Sequence, residues 1–184
     1  GKPATGATTA AKPATSATKP KAEAGAEVKA KPEAAPERAT APSLGDLGIV
    51  QDPIPYGSGR RAEMAAYARR HYGLDTWRLR PRVIVLHFTA SSTYASAHAT
   101  FASDAENRGE RPGTCAHFVV DQDGTIYQQV PLDVMCRHAI GLNHVAIGIE
   151  MVQAAGSSSS WADRQILDRR AQIGAVLRLV AALQ

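Results

Sequence analysis

The sequence lacks the features that would assign it at once to several large protein classes. It contains no run of about eighteen apolar residues, so nothing in it predicts a transmembrane segment. Neither the H-E-x-x-H motif of zinc proteases nor the G-x-S-x-G elbow of serine hydrolases occurs. With only two cysteines, Cys115 and Cys136, it has neither a zinc finger nor a disulfide framework. The two cysteines are compatible with one disulfide or with two buried thiols.

The N-terminal part of the chain has almost no large apolar side chains. Residues 1–43 are nearly all Ala, Pro, Lys, Thr, Glu and Gly, and Val28 is their one large aliphatic residue. Such a segment cannot bury enough apolar surface to offset the entropy lost on ordering, so we expect a disordered tail. The first residue is not Met and no signal peptide is visible, as expected of a fragment or a processed chain.

The positive charge is concentrated in this tail. It holds all six lysines and Arg38 against four glutamates, a net charge of +3. The rest of the chain has fourteen arginines and thirteen acidic residues, a net charge of +1 without a basic stripe, so nucleic acid is not an expected partner. A cationic tail suits a polyanionic surface such as a cell wall or an anionic membrane, and a plain spacer is equally compatible with it.

Hydrophobic periodicity and breaker residues divide the remainder into helices and strands. After a Pro/Gly-rich lead-in, the predicted elements are a helix over 60–72, a buried central strand over 82–88, a helix over 94–107, a hairpin of strands 116–120 and 125–130, a buried strand over 146–152, and a long amphipathic helix beginning near Ser160. The last helix reaches Gln184 without a Gly, a Pro or a basic last turn, so we expect it to continue beyond this sequence.

Ionisable residues interrupt the apolar strands. His87 ends the first strand, Glu150 lies within the last, His117 lies in the hairpin, and His138 lies in a loop that can approach them. Neutral imidazoles bind Zn²⁺ and a nearby carboxylate can accept a proton from water, so this combination indicates zinc-dependent hydrolysis. A catalytic zinc requires about three protein ligands and one open position.

Two other interpretations of these residues remain open. A cysteine hydrolase would use Cys115 with His117 or His138, but Cys115 precedes a strand and lacks the helix N-terminus that would lower its pKa. His87 by itself is also compatible with a core histidine that is hydrogen-bonded by a neighbour. The residue pattern alone does not decide among these readings.

Four segments occur in an order that resembles a known family. They are Val85–Ser91, Ala116–Ile126, His138–Asn143 and Ile147–Glu150. Together they resemble the zinc-dependent N-acetylmuramoyl-L-alanine amidases, which are relatives of phage amidase-type lysozymes and peptidoglycan-recognition proteins. The resemblance covers roughly residues 80–184.

The resemblance implies an α/β fold with a central mixed β-sheet flanked by helices. It divides the chain into the tail of residues 1–43, a lead-in with one helix over 44–80, and an amidase domain over 81–184 that is incomplete at its C-terminus. The implied activity is cleavage of the amide bond between N-acetylmuramic acid and L-alanine of the stem peptide by a zinc-activated water. Such a protein would act as a monomer on peptidoglycan, secreted or associated with the cell wall. The alternative is a non-catalytic peptidoglycan-binding module of the same fold.

The resemblance also implies roles for single residues. His87 corresponds to the first zinc ligand, with the remaining ligands expected beyond Gln184, and Glu150 corresponds to the general base. Ala116 stands where some relatives have a catalytic tyrosine, so the mechanism of that branch does not apply.

Further residues are expected around the substrate. His138 and Asn143 correspond to positions along the substrate groove, and His117 to a supporting position beside it. In the implied fold the loop of Cys136 returns to the strand that follows Cys115. Because a cell-wall enzyme works where disulfides persist, the resemblance favours a disulfide between them, with Cα atoms closer than ~7 Å.

Overall fold

The fold is built on one five-stranded mixed β-sheet, seen in a computed structural model that describes residues 41–184. In chain order the strands are β1 (Val50–Gln51), β2 (Val83–Ala90), β3 (Phe118–Val120), β4 (Ile126–Gln128) and β5 (Ala146–Ala154). They lie side by side in the order β1-β4-β3-β5-β2, with β3 and β4 antiparallel and the other neighbours parallel. The expected mixed sheet is therefore confirmed. The predicted disorder of the tail concerns residues that, up to residue 40, lie outside the described part of the chain.

Four helices flank the sheet: α1 (Ser58–Tyr72), α2 (Tyr94–Ala102), α3 (Ser159–Asp168) and α4 (Arg170–Leu183). Helix α1 ends where Gly73 takes a left-handed conformation with φ of 69°, which favours glycine at a helix C-terminus. Arg69, Arg70 and His71 occupy its last turn, where positive charge complements the helix dipole. Within residues 41–184 no helix combines the length and the apolar character needed to cross a membrane.

The two faces of the sheet carry different cores, because successive strand residues point to opposite sides. Phe118 of β3 and Ile149 of β5 face one core, to which α1 and α4 contribute Met64, Tyr67 and Leu179. The alternate residues face the other core; they include Val119, Val152 and, from α2, Ala97 and Phe101. The residues with candidate chemistry lie on this second face.

Strand β5 is the central strand on which the sheet depends. It bonds to β2 on one side and β3 on the other, and seven of its nine residues are buried. Strand β2 was expected to be central, which is wrong for the described chain. It lies at the edge of the described sheet, where Val83 and Leu86 are 39% and 49% exposed. An apolar run of β-branched residues predicts a strand but does not tell an edge from a centre.

Two of the helix predictions need correction. The helix predicted over 94–107 ends at Ala102, because Asp104 takes a left-handed conformation with φ of 53°. Such conformations cannot continue a right-handed helix.

The long helix predicted near Ser160 is two helices. The backbone leaves the helical region at Arg169, with ψ of 87°, and this separates α3 from α4. The N-cap is Ser158, whose hydroxyl accepts the backbone N–H of Trp161. The sequence offers four consecutive serines here, so the identity of the capping residue depends on the tertiary position of the helix.

The lead-in packs against the same body as the rest of the described chain. Strand β1 pairs with β4, and α1 contributes Met64, Tyr67 and Ala68 to the first core. Residues 44–80 therefore contribute to the sheet and to its core as well as preceding them.

Cys115 and Cys136 are joined by a disulfide, as the resemblance favoured. Their Cα atoms are 5.6 Å apart, and both residues are fully buried in the second core. The bond ties the entry to β3 to the loop that leads toward His138. It lies beside the candidate site, on the same face of the sheet.

Replacing both Cys115 and Cys136 by alanine should lower the free energy of unfolding by about 3 kcal/mol. The disulfide closes a loop with a sequence separation of 21 residues, and removing it restores conformational entropy to the unfolded chain. Urea denaturation of the oxidised wild type and the double variant measures the difference. Coincident unfolding midpoints would show that the bond contributes nothing to stability.

Candidate active site

His87 and Glu150 lie side by side on neighbouring strands. His87 of β2 is the register partner of Glu150 of β5, and Glu150 is also the register partner of Val119 of β3. Side chains alternate along a strand, so these residues share one face of the sheet. The two ionisable residues that interrupt the apolar strands β2 and β5 therefore lie next to each other.

Glu150 is a buried carboxyl group without full hydrogen bonding. The residue is 9% exposed, and its Oε2 atom has no hydrogen-bond partner in the described structure. Burial raises the pKa of Glu150 from 4.5 to about 7, because the charged form loses its hydration. A carboxyl group with a pKa near neutrality is suited to accept and release protons at physiological pH.

His117 is held by backbone groups on both sides of its ring. Its Nδ1 accepts the N–H of Gly148 at 3.0 Å, and its Nε2 donates to the carbonyl of Val134 at 2.9 Å. The residue is fully buried, which lowers the pKa of His117 to about 3. Both ring nitrogens of His117 are therefore occupied by backbone groups, and its expected place beside the substrate groove stays a prediction.

His138 lies directly over Gly148, between His117 and His87. Its Nε2 is 3.2 Å from the carbonyl oxygen of Ala146, and its Nδ1 is 3.1 Å from Nε2 of His87. Burial lowers the pKa of His138 to about 4 and also lowers the pKa of His87. Both imidazoles are therefore neutral at pH 7.

Gly148 is the residue that sequence reasoning missed. A Cβ atom at this position would come within 2.8 Å of Cγ in the His138 ring, so only glycine leaves room for that ring. A single glycine inside an apolar strand often marks the close approach of another group. The sequence therefore contains a signal for this contact.

Asn143 holds the turn that carries His138. Its Oδ1 accepts the backbone N–H groups of His138 and Ala139 at 2.8 and 2.7 Å, and its Nδ2 donates to the hydroxyl of Tyr72 at 3.0 Å. The residue is fully buried. Its amide group is therefore committed to shaping this loop, while the residue also belongs to the lining of the adjoining cavity, and its expected contact with substrate stays a prediction.

A cavity of about 280 Å³ opens beside His138. Its lining includes Arg108, Thr114 and Ile140, and Ile140 is 70% exposed. One wall is kept in place by Arg137, whose guanidinium donates to the carbonyl oxygens of Asn107, Glu110 and Pro112 at 2.7–2.8 Å. The cavity is thus a preformed recess with an apolar rim and one exposed cationic residue.

The residues present fit part of a metal site. His87 can offer one ring nitrogen, and the orphaned Oε2 of Glu150 is placed to meet a polar group that binds near it. No three His, Cys, Asp or Glu side chains within residues 41–184 lie close enough together to hold a metal ion. The described chain therefore supplies one candidate ligand and one candidate base.

The chemistry of these residues indicates a class of enzyme. A buried carboxyl group with a raised pKa beside a neutral histidine suits a hydrolase that activates water, and the neighbouring His138 lines a cavity. Residues 77–184 match the Amidase_2 family, described as N-acetylmuramoyl-L-alanine amidase. The chain belongs to this family of peptidoglycan amidases, which is generally zinc-dependent.

Solved structures of similar fold come from phage and bacterial amidases. The endolysin N-acetylmuramoyl-L-alanine amidase LysCS from Clostridium intestinale URNW is 22% identical, with 73% of this chain and 72% of that chain covered and a TM-score of 0.47. The Ph2119 endolysin from Thermus scotoductus MAT2119 bacteriophage Ph2119 is 24% identical, with 73% and 77% covered and a TM-score of 0.46. The E. coli amidase AmiD, in complex with anhydro-N-acetylmuramic acid-L-Ala-D-gamma-Glu-L-Lys, is 24% identical, with 58% and 46% covered and a TM-score of 0.39. No curated protein matches the chain.

Glu150→Gln should stabilise the metal-free protein at pH 8 and have little effect at pH 4. The folded state raises the pKa of Glu150 from 4.5 to about 7, so the folded protein holds a proton that the unfolded chain has released. Stability is therefore lost as pH rises from about 4.5 to about 7, by on the order of 3 kcal/mol, and glutamine escapes this loss.

Urea denaturation across this pH range measures the difference between Glu150→Gln and wild type. Glu106→Gln, at an exposed position, controls for the removal of one carboxylate. An equal offset between Glu150→Gln and wild type at every pH would contradict a buried carboxyl with a raised pKa.

Proposed function

We propose that this protein hydrolyses the amide bond between N-acetylmuramic acid and the L-alanine of the peptidoglycan stem peptide, with zinc as its cofactor. Membership of the amidase family supports the reaction and the substrate class. The observation that carries the residue assignment is the pairing of His87 with a buried, partly unsatisfied Glu150 across β2 and β5. Two residues with complementary roles in hydrolysis meet at one register position.

His87 is the proposed metal ligand in the described chain. It is neutral at pH 7 because burial lowers its pKa, and a neutral imidazole is the form that binds a metal. Zinc, when bound, lowers the pKa of water and polarises a carbonyl group. A catalytic zinc needs about three protein ligands, and His87 is the one that residues 41–184 supply in this proposal.

Glu150 is the proposed general base. Its carboxylate accepts the proton of the attacking water and can pass that proton to the leaving amine, which departs as a neutral group. Burial serves this role because it raises the pKa of Glu150 to about 7 and so makes the carboxylate a stronger base. Full hydrogen bonding by the protein would remove that advantage, and Oε2 has no such partner.

The cavity beside His138 is the proposed position for part of the substrate. It is lined by His138, which contacts His87, and the exposed side chain of Ile140 forms an apolar rim next to Arg108. A glycopeptide presents both apolar sugar and peptide faces and carboxylates, which suit such a rim and a guanidinium. A non-catalytic binding module could use the same recess, but it would have no need of a destabilising buried carboxyl.

Substitutions of Glu150 and His87 should fail in different ways in the zinc-loaded protein. Glu150→Gln keeps the shape but cannot accept a proton, so kcat on a soluble muropeptide should fall on the order of 10²–10⁴-fold while zinc binding is retained. His87→Ala removes a ligand, so zinc affinity and turnover should fall together. Calorimetric zinc titration and muropeptide turnover separate the two outcomes.

Glu106→Gln is the matched control for the loss of a carboxylate in these assays. Near-wild-type turnover by Glu150→Gln would exclude Glu150 as the base. Unchanged zinc affinity in His87→Ala would exclude His87 as a ligand. Substrate binding without turnover by the zinc-loaded wild type would instead support the binding module.

The cationic tail is proposed to act on location and not on chemistry, in a protein that works as a monomer outside the cell or at the cell wall. Residues 1–43 carry a net charge of +3 and lie outside the site residues. Their deletion should leave turnover of a soluble muropeptide unchanged. A large loss on that soluble substrate would contradict the proposal, whereas a loss on intact walls alone would indicate that the tail docks the enzyme.

A further inference from the structure

We infer that His138 is a positioning residue that fixes the tautomer of His87, with the proton on Nε2 and the free lone pair on Nδ1. This inference deepens the proposed function, since it rests on His87 as the metal ligand. It assigns His138 a task inside the protein, where the resemblance to the amidases placed it along the substrate groove. A chain of hydrogen bonds runs outward from the backbone of β5 through His138 to His87.

The hydrogen-bond partner of His138 determines which of its ring nitrogens carries the proton. Its Nε2 lies 3.2 Å from the carbonyl oxygen of Ala146, and a carbonyl oxygen can only accept. The hydrogen on Nε2 must therefore belong to His138. Because a neutral imidazole carries one N–H, Nδ1 of His138 is left as an acceptor.

The position of the proton on His138 determines the position of the proton on His87. Nε2 of His87 lies 3.1 Å from Nδ1 of His138, so one of these nitrogens must donate to the other. Nδ1 of His138 is already the acceptor, and His87 is therefore the donor through Nε2. The remaining nitrogen of His87, Nδ1, carries the lone pair, and a metal ion can bind only a nitrogen of that kind.

The His138 ring has little freedom to turn away. Gly148 forms the floor beneath it, and a side chain there would overlap the ring. Asn143 accepts the backbone N–H of His138, which fixes the base of the side chain. The ring centroids of His87 and His117 lie 5.2 and 5.9 Å away, with the rings nearly perpendicular to that of His138.

Both nitrogens of His138 are thus committed to protein groups. A substrate in the cavity can meet the carbon edge of this ring, but it cannot hydrogen-bond to the ring nitrogens without breaking the chain. Substrate binding and positioning by His138 therefore predict different kinetic effects. A substrate-binding histidine acts on KM, whereas a positioning histidine acts on the ligand that it orients.

The test is the tautomer of His87, read from the 15N shifts of the ring nitrogens in the metal-free, 15N-labelled protein of 184 residues at pH 7. Protonated and unprotonated ring nitrogens have well-separated shifts. We expect His87 in the Nε2–H form and His138 in the Nε2–H form. A wild-type His87 in the Nδ1–H form, or in an even mixture, overturns the inference without any variant.

Three substitutions extend the test. His138→Ala should convert His87 to a mixture of tautomers, and Gly148→Ala should do the same without changing any ionisable group. His138→Asn places an amide oxygen near the former Nδ1, so it should restore the Nε2–H form. His98→Ala, which removes a histidine from α2, is the control and should leave His87 unchanged. An unaltered His87 tautomer in folded His138→Ala overturns the inference, and the wild-type and His138→Asn spectra decide it if that variant does not fold.

Kinetics of the zinc-loaded protein provide a second readout. Loss of an orienting partner should lower kcat on a soluble muropeptide on the order of 10–100-fold in His138→Ala with KM unchanged, and His138→Asn should recover part of it. A raised KM with wild-type kcat would overturn the positioning role in favour of substrate binding. The tautomer measurement needs neither metal nor substrate, so a protein without amidase activity would refute the proposed function and still leave the tautomer result decisive.

Discussion

Strand β5 imposes the constraint on which the rest of this structure depends. It is bonded on both sides and buried along most of its length, so any polar group on it must be satisfied by its neighbours or remain unpaired. The backbone of Ala146 and Gly148 is satisfied by two histidines from outside the strand. Glu150 is the exception, and the raised pKa of its carboxyl group is the result. The site is therefore a local departure from good burial that the surrounding sheet tolerates.

The loops beside the site are held by hydrogen bonds and an ion pair from two buried arginines. The guanidinium of Arg60, from α1, donates to the carbonyl oxygen of Phe101 at 2.8 Å and forms an ion pair with Asp104. Arg137 satisfies three carbonyl oxygens in the loop that follows. Both arginines are buried, and the disulfide lies beside them. Loops that would otherwise be mobile thus form a defined wall for the cavity, because buried charged donors are costly to leave unpaired.

The three histidines differ in how deeply they are buried. His117 is fully enclosed and bonded only to backbone, His138 is partly accessible and bonded on one side to backbone, and His87 is the outermost of the three. Burial of the ring therefore decreases from His117 through His138 to His87. The outermost ring, that of His87, thus contacts the more deeply buried ring of His138, and such contacts limit the freedom of a side chain at a site.

The sequence by itself determined the types of most elements and the hairpin around Asp121–Gly124, and it marked His87 and Glu150 as candidate site residues, because apolar periodicity and its interruptions are local signals. Only the tertiary structure decided that β2 lies at the described edge while β5 is central, since a strand's neighbours depend on the order of the whole sheet. It also decided that Asn143 and His117 face inward, although their residue types suit substrate contact. A side chain's role depends on which groups reach its polar atoms, and for Asn143 these include Tyr72, 71 residues away along the chain.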